Sequence, residues 1–309
     1  MRRWVKRCVA LLLIALLVGG IAYIAATETA VDGLLRPRNP DEPDRTVPED
    51  VDHQLRVSRP DGVTLDVWVL EAEAPKPAGA VDTALVLHGI SDQKRTMLSL
   101  ARRFTQHGVR VILVDLRGHG LSTETNITFG VREREDLRAV LDAVEERLSV
   151  DGGSLGEVGV YGPSYGGAVA IQLAGVEPRV KRVVTVAAFA SMQRIMRPYV
   201  RTSFGDYGEY VPDVVAGFMV TRAGSRGGFD PDEASPERLV ADAEARLLVV
   251  HSPQDEIVPY AHAVAIVDNC GGRCELLTLE GKTHLESLSN IELRRALHMF
   301  LVGEEWTGG

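Results

Sequence analysis

The chain has 309 residues, 45% hydrophobic and 25% charged, which is ordinary for a globular protein and enough for one large domain with accessory segments. Four of its 34 basic residues (Arg2, Arg3, Lys6 and Arg7) fall in the first seven positions with no acid among them, so the remainder is more acidic than the net charge of −9 suggests. An acidic body argues against nucleic acid as a partner, because phosphate contacts need a basic surface.

The basic start leads into an uncharged apolar stretch, Cys8 to Thr27, ended by Glu28. A signal-peptide core runs about 7–15 residues and a membrane-spanning helix about 20, so residues 1–27 are expected to be an uncleaved membrane anchor. The positive-inside rule then keeps residues 1–7 in the cytoplasm and sends the rest outside. The competing expectation is a cleaved signal, with processing near Ala25-Ala26-Thr27 or Thr27–Ala30, and a secreted or periplasmic product. Residues 28–52 carry Pro37, Pro40, Pro43 and Pro48 among acids and are expected to be a Pro-rich acidic linker.

Gln54–Ser58 and Val63–Leu70, joined around Asp61-Gly62, read as an antiparallel hairpin. From there, strands alternate with helices. The β-branched runs Ala84–Leu87, Val109–Val114, Val158–Tyr161, Val183–Ala187, Leu247–Val250 and Leu276–Leu279 predict six buried parallel strands. Between and after them, Val131–Leu148 and Ile291–Leu301 have amphipathic helical spacing. This alternation predicts a mostly parallel sheet covered by helices on both faces, with its site at the carboxyl ends of the strands. Residues 194–236 interrupt it and hold six aromatics: Tyr199, Phe204, Tyr207, Tyr210, Phe218 and Phe229. Cys270 and Cys274 are the only cysteines of the globular part, and an exported domain would let them form a disulfide, although so short a loop also fits two unlinked thiols. With no further Cys or His at metal spacing they make a poor zinc site.

Gly162-Pro163-Ser164-Tyr165-Gly166-Gly167 follows the third parallel run directly. Small residues around one serine at a strand-to-helix turn are what an exposed nucleophile requires, the pattern called the nucleophile elbow. Three further stretches give it context. His88-Gly89-Ile90 ends the first parallel run, Asp255 follows Leu247–Val250, and His284 follows Leu276–Leu279. Asp115-Leu116-Arg117-Gly118-His119-Gly120-Leu121-Ser122 matches a D-x-R-G-H-G-x-S loop. With nucleophile, acid and histidine in that chain order, residues 53–302 resemble the α/β-hydrolase superfamily, in its esterase/lipase or serine aminopeptidase-like branch. Residues 303–309 form a tail.

The resemblance implies a fold of about eight strands with a short lid at about 194–236, whose aromatics either line an acyl pocket or pack the lid onto the body. It implies Ser164 as nucleophile, His284 as base and Asp255 as the acid that orients it, with Asp115 and Glu256 as weaker rivals for that role. It assigns the oxyanion hole to the backbone N–H groups of Tyr165 and Ile90, with Gly89 as the alternative to Ile90. His88 and His119 are expected to shape turns, and His251 and His262 are near the acid in sequence only. Pro163, Ser252 and Thr283 depart from residues common in the family and are expected to reshape their loops. The activity implied is hydrolysis of a small-molecule or lipid acyl ester with no cofactor. A serine aminopeptidase-like peptidase and a non-catalytic binding module are the competing classes.

Overall fold

The β-branched runs do form one eight-stranded sheet. The computed structural model describes residues 2–37, 43–203, 210–289 and 299–302. The strands are β1 (His53–Ser58), β2 (Thr64–Leu70), β3 (Thr83–Val86), β4 (Arg110–Val114), β5 (Val158–Pro163), β6 (Val180–Val186), β7 (Arg246–His251) and β8 (Cys274–Thr278). Their spatial order is β1-β2-β4-β3-β5-β6-β7-β8. The β1–β2 and β2–β4 pairs are antiparallel and all others parallel, as the hairpin and the six runs imply, but β8, expected to be buried, lies at the sheet edge and is only half-buried.

Strand periodicity divides the core in two. Leu85, Leu87, Val160 and Val183 belong to one buried layer, shared with α3 (Glu133–Ser149) and α4 (Tyr165–Ala174). Ala84, Val86, Tyr161 and Val184 belong to the other, shared with α2 (Leu98–Gln106) and with Leu301 and Val302. The helix expected at Ile291–Leu301 lies mostly outside the described residues. Cys270 and Cys274 are joined in a disulfide, Cα–Cα 5.8 Å, that leads into β8.

The insertion after β6 is a helical hairpin, α5 (Met192–Ser203) and α6 (Asp213–Gly227), followed by a single turn, α7 (Pro236–Leu239). Of its aromatics, Phe204 and Tyr207 lie outside the described residues. Phe229 stacks on Phe129 and fastens the lid to the body, whereas Tyr210 and Phe218 are exposed. Among the described aromatics of the insertion, Phe229 packs the lid onto the body and Tyr199, like Tyr210 and Phe218, is exposed.

The N-terminal segment differs from the expected anchor-plus-linker division. One helix, α1, runs from Arg2 to Leu35 without a break and takes in the first eight residues assigned to the linker. Its last turns are packed on the body: Val31, Leu34 and Leu35 are buried. Glu28 pairs with Arg222 and Arg226, and Asp32 with Arg226. Further along, Asp44 and Thr46 contact Arg95, and Asp50 pairs with Arg102, so residues 44–50 also lie along the domain. These acids seek the arginines of the body, which composition alone does not reveal.

A buried cation ties the edge of the sheet to the loops above it. Lys94, in a single 3₁₀ turn, places its Nζ 2.7 Å from Asp66 of β2 and 2.5 Å from Asp115 after β4, over the Trp68 ring. Asp115 also accepts from the N–H groups of Lys94 and Leu121. Asp115 is thus committed to this clasp, which agrees with its standing as a rival only to the proposed acid. Truncating Lys94→Ala would leave buried Asp115 without its cation and Asp66 with only the half-exposed Arg56, a loss of about 3–5 kcal/mol by the usual behaviour of broken buried pairs. Urea denaturation is expected to show that loss, and a change below about 1 kcal/mol would show that the clasp is dispensable.

Candidate active site

The tight turn after β5 begins the site. Ser164 takes φ 49° and ψ −115°, a conformation that L-residues rarely adopt and that surrounding packing must enforce. Two glycines make it feasible. A Cβ on Gly162 would fall 2.4 Å from the Gly166 backbone, and one on Gly166 would fall 2.4 Å from the His88 carbonyl oxygen. The strand, the helix and the β3 loop can therefore approach only where no side chain stands. Ser164 occupies the cap position of α4 but makes no side-chain capping hydrogen bond, which leaves its hydroxyl for another partner.

That partner is His284. Its Nε2 lies 3.2 Å from Ser164 Oγ, and its Nδ1 lies 2.7 Å from Asp255 Oδ2. The three groups are 120 and 29 positions apart in sequence yet form one hydrogen-bonded line. The loop after β7 fixes the acid: Asp255 Oδ1 accepts from the N–H groups of Ile257 and Val258. Burial pushes this carboxyl upward, but the bonds from His284 and Val258 outweigh it and hold it below its ordinary value. Asp255 is therefore an anion where it meets the imidazole, and a carboxylate acceptor leaves the Nδ1 proton on His284 and Nε2 free to take one.

Residues outside the line set its geometry. Gln254 Oε1 accepts from Gly281 N–H, so the acid loop holds the histidine loop directly. Thr283 and Glu286 form a capping box at the start of α9 (His284–Ser289): Thr283 N–H donates to Glu286 Oε2, and Glu286 N–H to Thr283 Oγ1. This is the physical use of Thr283 where the family commonly has glycine. Glu256 accepts from the His284 backbone N–H and does not reach its ring.

Four other histidines, His88, His119, His251 and His262, are buried and structural. His88 Nε2 accepts from Leu116 N–H while Nδ1 donates to the Gly89 carbonyl, so a neutral ring pins the turn that carries Ile90. Burial keeps it below its ordinary pKa. His119 is likewise held at about 4, by burial and then by the neighbouring His88. His251 is nearer the acid than its sequence position alone indicated: its Nε2 donates to the Val258 carbonyl at 2.7 Å and stands 3.5 Å from Asp255 Oδ2. Neither this contact nor Lys94 is visible in the sequence, because neither residue belongs to a recognisable spacing.

For the oxyanion donors, Tyr165 N–H opens α4, where the first N–H groups have no intrahelical partner. Ile90 lies in the turn after β3, beside the elbow, since Gly89 and the Pro163 carbonyl are neighbours across the gap. The next residue, Ser91, takes a positive φ of 57° and lines a cavity of about 1130 Å³ with His119 and Glu124. The opposite wall is the end of α1, through Thr29, Asp32 and Arg36. Among the described residues, no group of three or more His, Cys, Asp or Glu has metal-binding geometry.

With the parallel sheet, the elbow and the serine–histidine–aspartate line in place, similar proteins can be named. The serine aminopeptidase S33 family model matches residues 78–225. The chain has the α/β-hydrolase fold. Its fold is similar to that of an esterase from Pyrococcus furiosus, TM-score 0.61 at 17% identity, covering 86% of this chain and 97% of that one. It is also similar to a puromycin-hydrolyzing peptidase of Mycobacterium tuberculosis, TM-score 0.60 at 19% identity, covering 83% of this chain and 40% of that protein. Among curated relatives, a thiohydrolase of Aspergillus aculeatus is 28% identical over 207 residues, which span 67% of this chain and 54% of that protein. An uncharacterized protein of Bacillus subtilis is 22% identical over 213 residues, 68% of this chain and 67% of that one.

The buried histidines also predict how the site region responds to acid. His262, in α8 (Ala261–Asp268), accepts from Ala190 N–H and is pushed down to about 4, first by burial and then by His251 and Arg194. Its native pKa lies below the unfolded value near 6.5. The unfolded chain therefore takes up a proton that the native state refuses, and stability falls as pH drops from about 6.5 to about 4. His262→Asn keeps an acceptor but not the titration. It is expected to flatten this part of the stability–pH curve by about 2–3 kcal/mol in chemical denaturation at stepped pH. Parallel curves for the two proteins would show that another group is responsible.

Proposed function

We propose that this protein is a serine hydrolase that cleaves acyl esters through an acyl-enzyme, in the manner of a carboxylesterase or lysophospholipase. The observation that carries this reading is the continuous line from Ser164 Oγ through the His284 ring to Asp255, with Ser164 lifted on a strained elbow. A free serine hydroxyl is a weak nucleophile, and His284 Nε2 takes its proton as Oγ attacks the ester carbonyl. Asp255 stabilises the imidazolium that results and does not itself accept the proton. Negative charge then develops on the carbonyl oxygen, facing the Tyr165 and Ile90 N–H groups. Loss of one such donor typically costs about 2.7–4 kcal/mol of transition-state stabilisation. Collapse of the tetrahedral species expels the alcohol, which receives the proton from His284. Water, activated by the same histidine, then releases the acid and restores Ser164.

A second reading has its own support. The matching family model describes serine aminopeptidases, and one similar fold is a peptidase that hydrolyzes puromycin. The same residues would then expel an amine instead of an alcohol, which makes protonation of the leaving group by His284 more demanding.

For location, we propose that α1 holds the protein in a membrane with residues 1–7 inside and the catalytic domain outside. Within Trp4–Leu35 lies an apolar stretch of about 18 residues, none of it buried against the body. That is close to the length that crosses a bilayer core. The Cys270–Cys274 disulfide fits an oxidising compartment.

Ser164→Ala is expected to abolish labelling by a fluorophosphonate probe with no loss of stability beyond about 1 kcal/mol, since only a hydroxyl is removed. Asp255→Asn and His284→Ala are each expected to lower kcat by several orders of magnitude, because triad members act as a unit. Labelling that persists in the serine variant would place the nucleophile elsewhere. A panel of p-nitrophenyl esters of graded length and aminoacyl anilides then separates the two readings, with higher kcat/KM expected on an ester.

A further inference from the structure

Helices α1 and α6 run in the same direction. Glu28 meets Arg222 and Arg226, Asp32 meets Arg226, and Leu35 lies against Gly227, so both chains advance together along the contact. The half of α6 that precedes Arg222 is therefore carried back toward the apolar part of α1. Phe218 lies four residues before Arg222 and Val214 eight, about 6 and 12 Å along a helix axis. Both sit on the side of Glu28 where Leu17, Val18 and Ile21 of α1 are exposed.

This half of α6 has two unlike faces. Val215, Ala216, Met219 and Val220 are buried against the body. Val214 (74% exposed) and Phe218 (42%) face outward, and Gly217 and Thr221 on the same side add no charge. Between Asp213, which pairs with Arg197 at the start of the helix, and Arg222, this outer face carries no charge and lacks the polar side that water normally meets. The catalytic edge points the same way. The cavity beside the Ile90 turn has the end of α1 as its other wall, so the loops at the carboxyl ends of β3 and β4 lie next to the helix leaving the bilayer.

We infer that the outer face of α6 rests in the membrane interface, with Val214 and Phe218 among the lipid headgroups and upper acyl chains, and that the enzyme takes its acyl substrate from that bilayer. The inference rests on the proposed role of α1 as an anchor. An interfacial helix buries its apolar face about 5–10 Å, a depth that the parallel offset from Arg222 supplies. The ion pairs of Glu28 and Asp32 with Arg222 and Arg226 fix the lid to the anchor helix at the level where charge is still tolerated. The substrate class that follows is a lipid ester presented at a surface, such as a lysophospholipid or an acylglycerol.

The test uses the full chain with Cys8→Ser, reconstituted in phosphatidylcholine vesicles, with Val214→Cys or Phe218→Cys carrying an environment-sensitive NBD label. Asp151→Cys on the remote side of the domain serves as control. Reaction with a fluorophosphonate probe establishes that each labelled protein is folded. The expected result is co-flotation with vesicles, blue-shifted emission at 214 and 218, and quenching there by doxyl-labelled lipid at least threefold stronger than at 151. Flotation with both labels quenched only by an aqueous quencher would overturn the interfacial lid and leave the anchor reading standing. Blue-shifted emission that doxyl lipid does not quench would mean that protein covers this face, which also overturns the inference. Failure to float would overturn the anchor reading, and the lid placement with it.

Discussion

Everything in the site depends on the strained turn at Ser164. A residue held at φ 49° cannot relax into a regular helix or strand, so the packing around it must be stronger than the local preference. That packing comes from three directions at once, namely β5 before the turn, α4 after it and the His88 carbonyl beside it. Glycine at 162 and 166 is the condition for all three to meet. The same contact that strains the serine also brings the Ile90 turn alongside Tyr165, so the proposed nucleophile and oxyanion donors are fixed by one packing event.

The proposed base and acid are held by a different device. Each sits in a loop after a parallel strand, β7 for Asp255 and β8 for His284, and the two loops are bonded through Gln254 and Gly281. Neutral histidines fill the space around them. His88, His251 and His262 each use ring nitrogens to satisfy backbone groups, and burial keeps each below its ordinary pKa. Protonating His88 or His262 at its accepting nitrogen would break a backbone hydrogen bond, and a proton on His251 would bring a second positive charge near His284. His284 faces a hydroxyl on one side and a carboxylate on the other.

The clasp made by Lys94, Asp66 and Asp115 shows that stability in this region is also electrostatic. A lone lysine in the interior would be prohibitive, and two carboxylates and the Trp68 face make it tolerable. Its place between β2, β4 and the turn after β3 means that the loop bearing Ile90 is anchored by charge as well as by the sheet.

The sequence by itself determined the sheet and the identity of the chemical groups. Central parallel strands bury both faces, so β3 to β7 are visible as largely apolar β-branched runs, and β8 at the sheet edge is visible through its leucines although it is only half-buried. The elbow is visible because close approach restricts its neighbours to small residues. Charge placement was not legible in the same way. Lys94 and His251 are single residues whose partners come from distant segments, and the acids of 28–50 have the composition of a solvated linker although Glu28, Asp32 and Asp50 find arginines on the body. Local spacing encodes which face a segment buries, and this acts over a few residues. Whether two charges meet depends on how α1, α2 and α6 are laid on the sheet, and only the tertiary structure decides that.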